Sequence, residues 1–200
     1  MVSRALDEWE VDRKAEIRLA RELAVKSPPE LPAQSAANIL LASYIRVCVA
    51  EFQAFCAALY GEAVESVRTV LDRAVSPALR DQLVNQLHTQ TALARGNPTH
   101  DNLRRDFDRL GPDLRKRRLV AVGPATDADL AVLDDHLMKV RNDLVHGGER
   151  FPSVESADGE SHLVTIADVD DWLRALGRIA RTMDSVVGDD LSRPLGQRPW

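Results

Sequence analysis

Residues 38–60 read NILLASYIRVCVAEFQAFCAALY, and this stretch restricts the fold more than any other. Leu40, Tyr44, Val47, Cys48, Phe52, Phe55 and Leu59 recur at the three- and four-residue spacing of a helix with one buried side. Arg46 and Glu51 interrupt the run before it reaches the roughly 18 uninterrupted apolar residues of a membrane span. The expectation is a long buried helix of a soluble protein, which needs other helices packed around it.

The rest of the chain supplies them. Residues 3–26 repeat apolar groups loosely (Leu6, Trp9, Ile17, Ala20, Leu23, Ala24) and stop at the stiff SPPELP. The long helix runs over 33–60 and continues over 62–75, with Gly61 as a candidate interruption. Ser76 and Pro77 open the next helix, and Gly96 and Pro98 in RGNP end it. A short helix covers Asn102–Leu110, and Leu119–Val122 could form a short extended piece. Two capping boxes, Thr126 with Asp129 and Thr165 with Asp168, open the last two helices. The final one carries Val169, Trp172, Leu176, Ile179, Met183 and Val187 on one side. Residues 147–163 read as a polar loop, and GDDLSRPLGQRPW as a loose tail. Only 4% of residues are aromatic, which suits helices better than sheets. The expected fold is all-α, a single bundle of about five or six helices. Residues 1–30 form an N-terminal helix and proline linker, 31–188 the helical domain, and 189–200 a flexible tail.

Charge and cysteine usage narrow the function. A net charge of −5 argues against wrapping nucleic acid by bulk electrostatics and leaves room for a local basic patch. Arg115, Lys116, Arg117 and Arg118 form the densest basic run, with Arg104 and Arg105 nearby. They are the candidate RNA-phosphate contacts, or else a solvated face or linker. Cys48 and Cys56 lie eight residues apart on one helix, about 12 Å, too far for a disulfide. Buried reduced thiols and a cytoplasmic location are expected, because the charged N-terminus has no apolar signal core. His88, His100, His136, His146 and His162 are scattered without metal-ligand spacing, so no metal or cofactor is expected.

The stretch KVRNDLVHGG, residues 139–148, carries the candidate chemistry. Leu130, Leu133, Leu137 and Leu144 outline an apolar seam, and Arg141 reads as occupying its missing position. A guanidinium buried there costs several kcal/mol unless it has a partner or a wet pocket. Glu51, at the edge of the long helix's buried face, is the candidate ion-pair partner. His146 stands at the helix end before Gly147 and Gly148, where it is either a capping histidine or a proton-transfer group. Arg141 and His146 lie five apart, about 140° round an ideal helix, so they do not point the same way.

RNDLVHG resembles the RxxxxH motif of the HEPN superfamily, with Arg141, Asn142 and His146 in the matching places. AEFQAF upstream, RLG in the middle and TIADVDDWLRAL after the motif are similar to the RiboL-PSP group of that superfamily. The resemblance covers roughly residues 35–187. It implies an all-helical, metal-independent endoribonuclease in which the RNA 2′-hydroxyl attacks phosphorus and leaves a cyclic phosphate. It implies His146 as general acid or base, Arg141 as donor to the phosphoryl oxygens, and Asn142 or Asp143 as orienting groups. Glu51 would orient Arg141. It also implies a homodimer with two motif helices facing one cleft, in a toxin–antitoxin, defence or RNA-processing setting. An antitoxin or a nucleotidyltransferase would then be the partner protein. The other reading is an inactive helical module that binds a partner protein or RNA.

Overall fold

The computed structural model describes residues 2–26, 33–89, 91–110, 127–146, 151–155 and 159–200. Among them the architecture is essentially all-α, with one two-stranded ribbon. The central element is α3 (Ala33–Ala74), continuous for 42 residues. At 1.5 Å per residue it is roughly 60 Å long. It does not break at Gly61.

The N-terminal segment belongs to the core. Helices α1 (Arg4–Glu8) and α2 (Lys14–Val25) join through a π-helical turn over Trp9–Arg13 and pack on α3. Trp9 and Ile17 are eight residues apart, about 80° off a common face in a pure α-helix. The wider π turn absorbs the extra residue, and both side chains are buried. Trp9 sits against Phe52 and Phe55, each with ring centroids 5.8 Å away. The start of α1 is tied down by backbone N–H groups of Arg4 and Ala5 donating to Glu62, and by Ser3 N–H donating to Asp184 Oδ1.

Beyond α3 come α4 (Pro77–His88), α5 (Ala92–Arg95) and α6 (His100–Phe107), closed by a 3₁₀ turn at Asp108–Leu110. Helix α7 (Asp127–Ala131) leads through a π-helical stretch, Val132–Met138, into α8 (Lys139–His146). Strands β1 (Ser153–Glu155) and β2 (Ser161–Leu163) pair antiparallel where a plain loop is expected from sequence. Helix α9 (Ile166–Leu195) opens with the Thr165–Asp168 capping box and runs against α3 and α7. Its buried line includes Val169, Leu176, Ile179, Met183 and Val187.

The expected tail over 189–200 is corrected. Helix α9 continues through Leu195, and Gly196 ends it in the left-handed region at φ 70°. The chain then folds back so that the Trp200 indole packs against Gly188, where an added Cβ would lie only 3.1 Å from the indole nitrogen. The SPPELP linker, Leu119–Val122, Thr126, Gly147 and Gly148 lie outside the described residues. Asp129, the other half of the expected Thr126 box, is buried and bonded by the Arg178 guanidinium, with Nη2 2.6 Å from its Oδ1.

Candidate active site: a cleft between the motif helix and the Gly96 turn

The apolar seam of α7 and α8 is completed by Val140, not by Arg141. Leu130, Leu133, Leu137, Val140 and Leu144 follow spacings of three, four, three and four, and Val140 is 1% exposed. Arg141 stands about 100° further round the helix and is only half-buried. It therefore needs no charge partner inside the bundle. The expected Glu51–Arg141 ion pair does not form. Glu51 faces the N-terminal helices, where the Arg13 guanidinium meets it at 3.1 Å. Gln53, two residues on and about 200° round α3, faces the other side. That side holds the cleft.

The cleft has a volume of about 430 Å³. Arg141, Asn142 and His146 line it from α8, Arg95 lines it from the end of α5 and Asn97 from the turn that follows, and Gln53 lines it from α3. Asn142 and His146 are four residues apart and share a helix face. Arg141 reaches that face by folding over its neighbour, donating from Nη1 to Asn142 Oδ1 at 3.1 Å. Arg141 and His146, five positions apart, thus both line the one cleft. His146 is exposed at the cleft edge. Asp143 is exposed and is not among the groups lining the cleft. Arg115, Lys116, Arg117 and Arg118 lie outside the described residues.

The polarity of the cleft follows from donor-only and acceptor-only neighbours. Arginine can only donate, so the Asn142 atom facing Arg141 is its oxygen. The same oxygen accepts from Asn97 Nδ2 at 2.9 Å. With Oδ1 doubly engaged, Asn142 keeps its amide N–H groups for something else. Arg141 likewise spends one of its five N–H groups on Asn142. Among the described residues no carboxylate lines the cleft. The Arg141 guanidinium, an amide donor and an imidazole therefore line a space suited to an anion, with Arg95 at its border.

The turn opposite the motif helix is held firmly. The buried Asp106 carboxylate accepts from the N–H groups of Ala92 and Leu93 at 2.7 and 2.8 Å, at the start of α5. Gln53 Nε2 donates to the carbonyls of Leu93 and Gly96 at 2.8 and 3.1 Å. Asn102 Nδ2 and the Thr99 N–H both donate to the Asn97 carbonyl. Arg46 Nη2 donates to the Leu144 carbonyl at 2.9 Å, satisfying the last turn of α8. Of these groups, Asn97, Gln53, Arg95 and Arg46 carry no site signal in the sequence. RGNP reads there as a helix stop, and its Asn97 gains meaning only from the fold.

The two cysteines are not part of the cleft. Both are buried; burial pushes the Cys48 thiol up to about 12 and raises that of Cys56 as well. Neither is available as a thiolate nucleophile. Among the described residues no three of His, Cys, Asp and Glu come together as metal ligands would. No family model, curated protein or solved structure matches the chain.

Proposed function

We propose that this cleft is the active site of a metal-independent endoribonuclease of HEPN type. The observation that carries the reading is that Arg141, Asn142 and His146 of the RxxxxH stretch line one cleft, with no carboxylate beside them among the described residues. A phosphodiester is an anion whose charge shifts onto its non-bridging oxygens during displacement. The free N–H groups of Arg141 and the amide of Asn142 suit that charge. His146 is the proton-transfer group.

In the proposed reaction the ribose 2′-oxygen attacks the adjacent phosphorus and the bond to the 5′-oxygen breaks. The proton of the 2′-hydroxyl leaves to a base, and the departing 5′-oxygen takes one up. The products are a 2′,3′-cyclic phosphate and a 5′-hydroxyl end. One imidazole serves one of these transfers. A homodimer with two motif helices across one cleft supplies a second, and the exposure of His146 suits that arrangement. Asp143 and Glu51 have no role in this reading, because neither reaches the cleft. The proposed setting is toxin–antitoxin, defence or RNA processing, with an antitoxin or nucleotidyltransferase as partner and the cytoplasm as location.

The test is incubation with RNA in EDTA followed by end-group analysis. Fragments ending in a cyclic phosphate are expected, and a strand carrying a 2′-deoxyribose at the cut position should stay intact there. Binding of RNA or of a protein without cleavage would instead make the chain an inactive binding module.

A further inference from the structure

A second space opens beside the cleft. It is a groove of about 520 Å³ along α3, and it shares Gln53 and Ala94 with the cleft. Its floor is Ala50, Ala54, Ala57 and Gly61, spaced four, three and four along one helix face. An added Cβ at Gly61 would meet nothing within 4 Å, so this end of the floor is open. Tyr60 and His88 form the far wall. The Tyr60 hydroxyl is spent on the Leu87 carbonyl at 3.0 Å, which fixes the ring, and Phe107 braces it edge-on at 5.5 Å. The His88 ring is half-exposed beside it.

Among the described residues no lysine or arginine lines the groove, which gives a phosphate no cationic partner there. Low methyl groups beside the half-exposed His88 imidazole suit a flat, uncharged ring, while Tyr60, only 4% exposed, backs that wall from the core. At the junction with the cleft, both Nε2 hydrogens of Gln53 are taken by backbone carbonyls. Carbonyls only accept, so the amide cannot turn over, and Oε1 is left as an acceptor on a side chain that lines both spaces. On a ligand continuing from the anion cleft into the groove, a ring N–H or amino donor at this junction would meet Gln53.

We infer that the groove is a subsite for the nucleobase next to the phosphate held in the cleft, with Gln53 Oε1 as its hydrogen-bond acceptor. The inference rests on the ribonuclease reading for the phosphate's place. A strand whose phosphate lies on Arg141 and Asn142 puts its neighbouring base beside Gln53. Base stacking then adds to affinity without demanding a particular sequence, and the Gln53 acceptor favours bases that present an N–H at that edge.

The test measures binding of a short single-stranded RNA oligonucleotide to the His146→Ala protein, which binds without cutting. Ala57 is exposed, so Ala57→Phe fills the groove without touching the core. The intact oligonucleotide should bind His146→Ala/Ala57→Phe about tenfold more weakly. Moving an abasic ribose along the strand should reveal one position that costs His146→Ala a similar factor and costs the double variant nothing further. Equal affinity of the two proteins, indifference to every abasic position, or no RNA binding at all would overturn the inference. A change in sedimentation with RNA affinity unchanged would assign the groove to a subunit contact and also overturn it. The two proposals fail separately. Groove-dependent binding by a wild-type protein that never cleaves keeps the groove and loses the nuclease. Unaltered binding by Ala57→Phe, with cleavage intact, does the reverse.

Discussion

Asn97 donates through Nδ2 to Oδ1 of Asn142 at 2.9 Å, joining residues 45 positions apart across the cleft. That bond, with the one from Arg141, orients the Asn142 amide. Asn97→Ala should lower kcat by about tenfold while leaving folding stability within about 1 kcal/mol, the usual net worth of one such bond. Asn97→Asp should be no better, because a carboxylate facing an amide oxygen cannot donate. Single-turnover cleavage and thermal melts would check this. Unchanged kcat in both variants would remove Asn97 from the site.

Arg141 should prove functional and not structural. Its side chain is half-buried and bonds to its own neighbour, so Arg141→Ala should cost about 1 kcal/mol of stability or less. Cleavage should fall by about 100-fold or more, as when one donor to a developing oxyanion is removed. Glu51→Gln breaks the contact with Arg13 and should leave cleavage unchanged. Urea denaturation alongside RNA cleavage would show both effects.

The seam around Arg141 shows how far the amino-acid order alone can be read. Leu130, Leu133, Leu137 and Leu144 are visible as a stripe. Which of two adjacent residues fills the gap is a matter of spacing, and three–four–three–four selects Val140. Counting four residues twice after Leu133 puts Arg141 in the core by mistake. The capping box at Thr165 and Asp168 is local, so it is legible. The cleft is not local. Asn97 and Gln53 are polar residues on a turn and a helix, and only the crossing of α3, the Gly96 turn and α8 makes them neighbours. The same holds for Trp200, whose apolar ring in a polar tail packs closely over Gly188 only once α9 is in place.

Trp9 tests whether the N-terminal segment is an appendage or part of the core. Its ring is fully buried between Phe52 and Phe55. Trp9→Ala should destabilise the fold by about 3–5 kcal/mol. Removing residues 1–26 should abolish cooperative unfolding of what remains. A truncated protein that melts as the full chain does would contradict the shared core.

Acid should unfold the protein partly through Asp170. The Arg21 guanidinium, bonded bidentately to it, and the Tyr44 hydroxyl hold this carboxyl below its ordinary value of 3.8. A folded-state value below the unfolded one means stability is present above the unfolded value. It is lost as pH falls from about 4 through the folded one. Asp170→Asn should be less stable than wild type at neutral pH and converge toward it in acid. Melting temperatures from pH 7 down to pH 2 would reveal the convergence, and parallel curves would refute it.

Whether the imidazole and the guanidinium in this cleft break RNA is decided by comparing two proteins. Wild type and His146→Ala, matched by circular dichroism and melting temperature, are incubated with the same RNA in excess EDTA. Fragments are expected from wild type and none from His146→Ala. Equal cleavage by both proteins, or none by wild type, would contradict the ribonuclease reading.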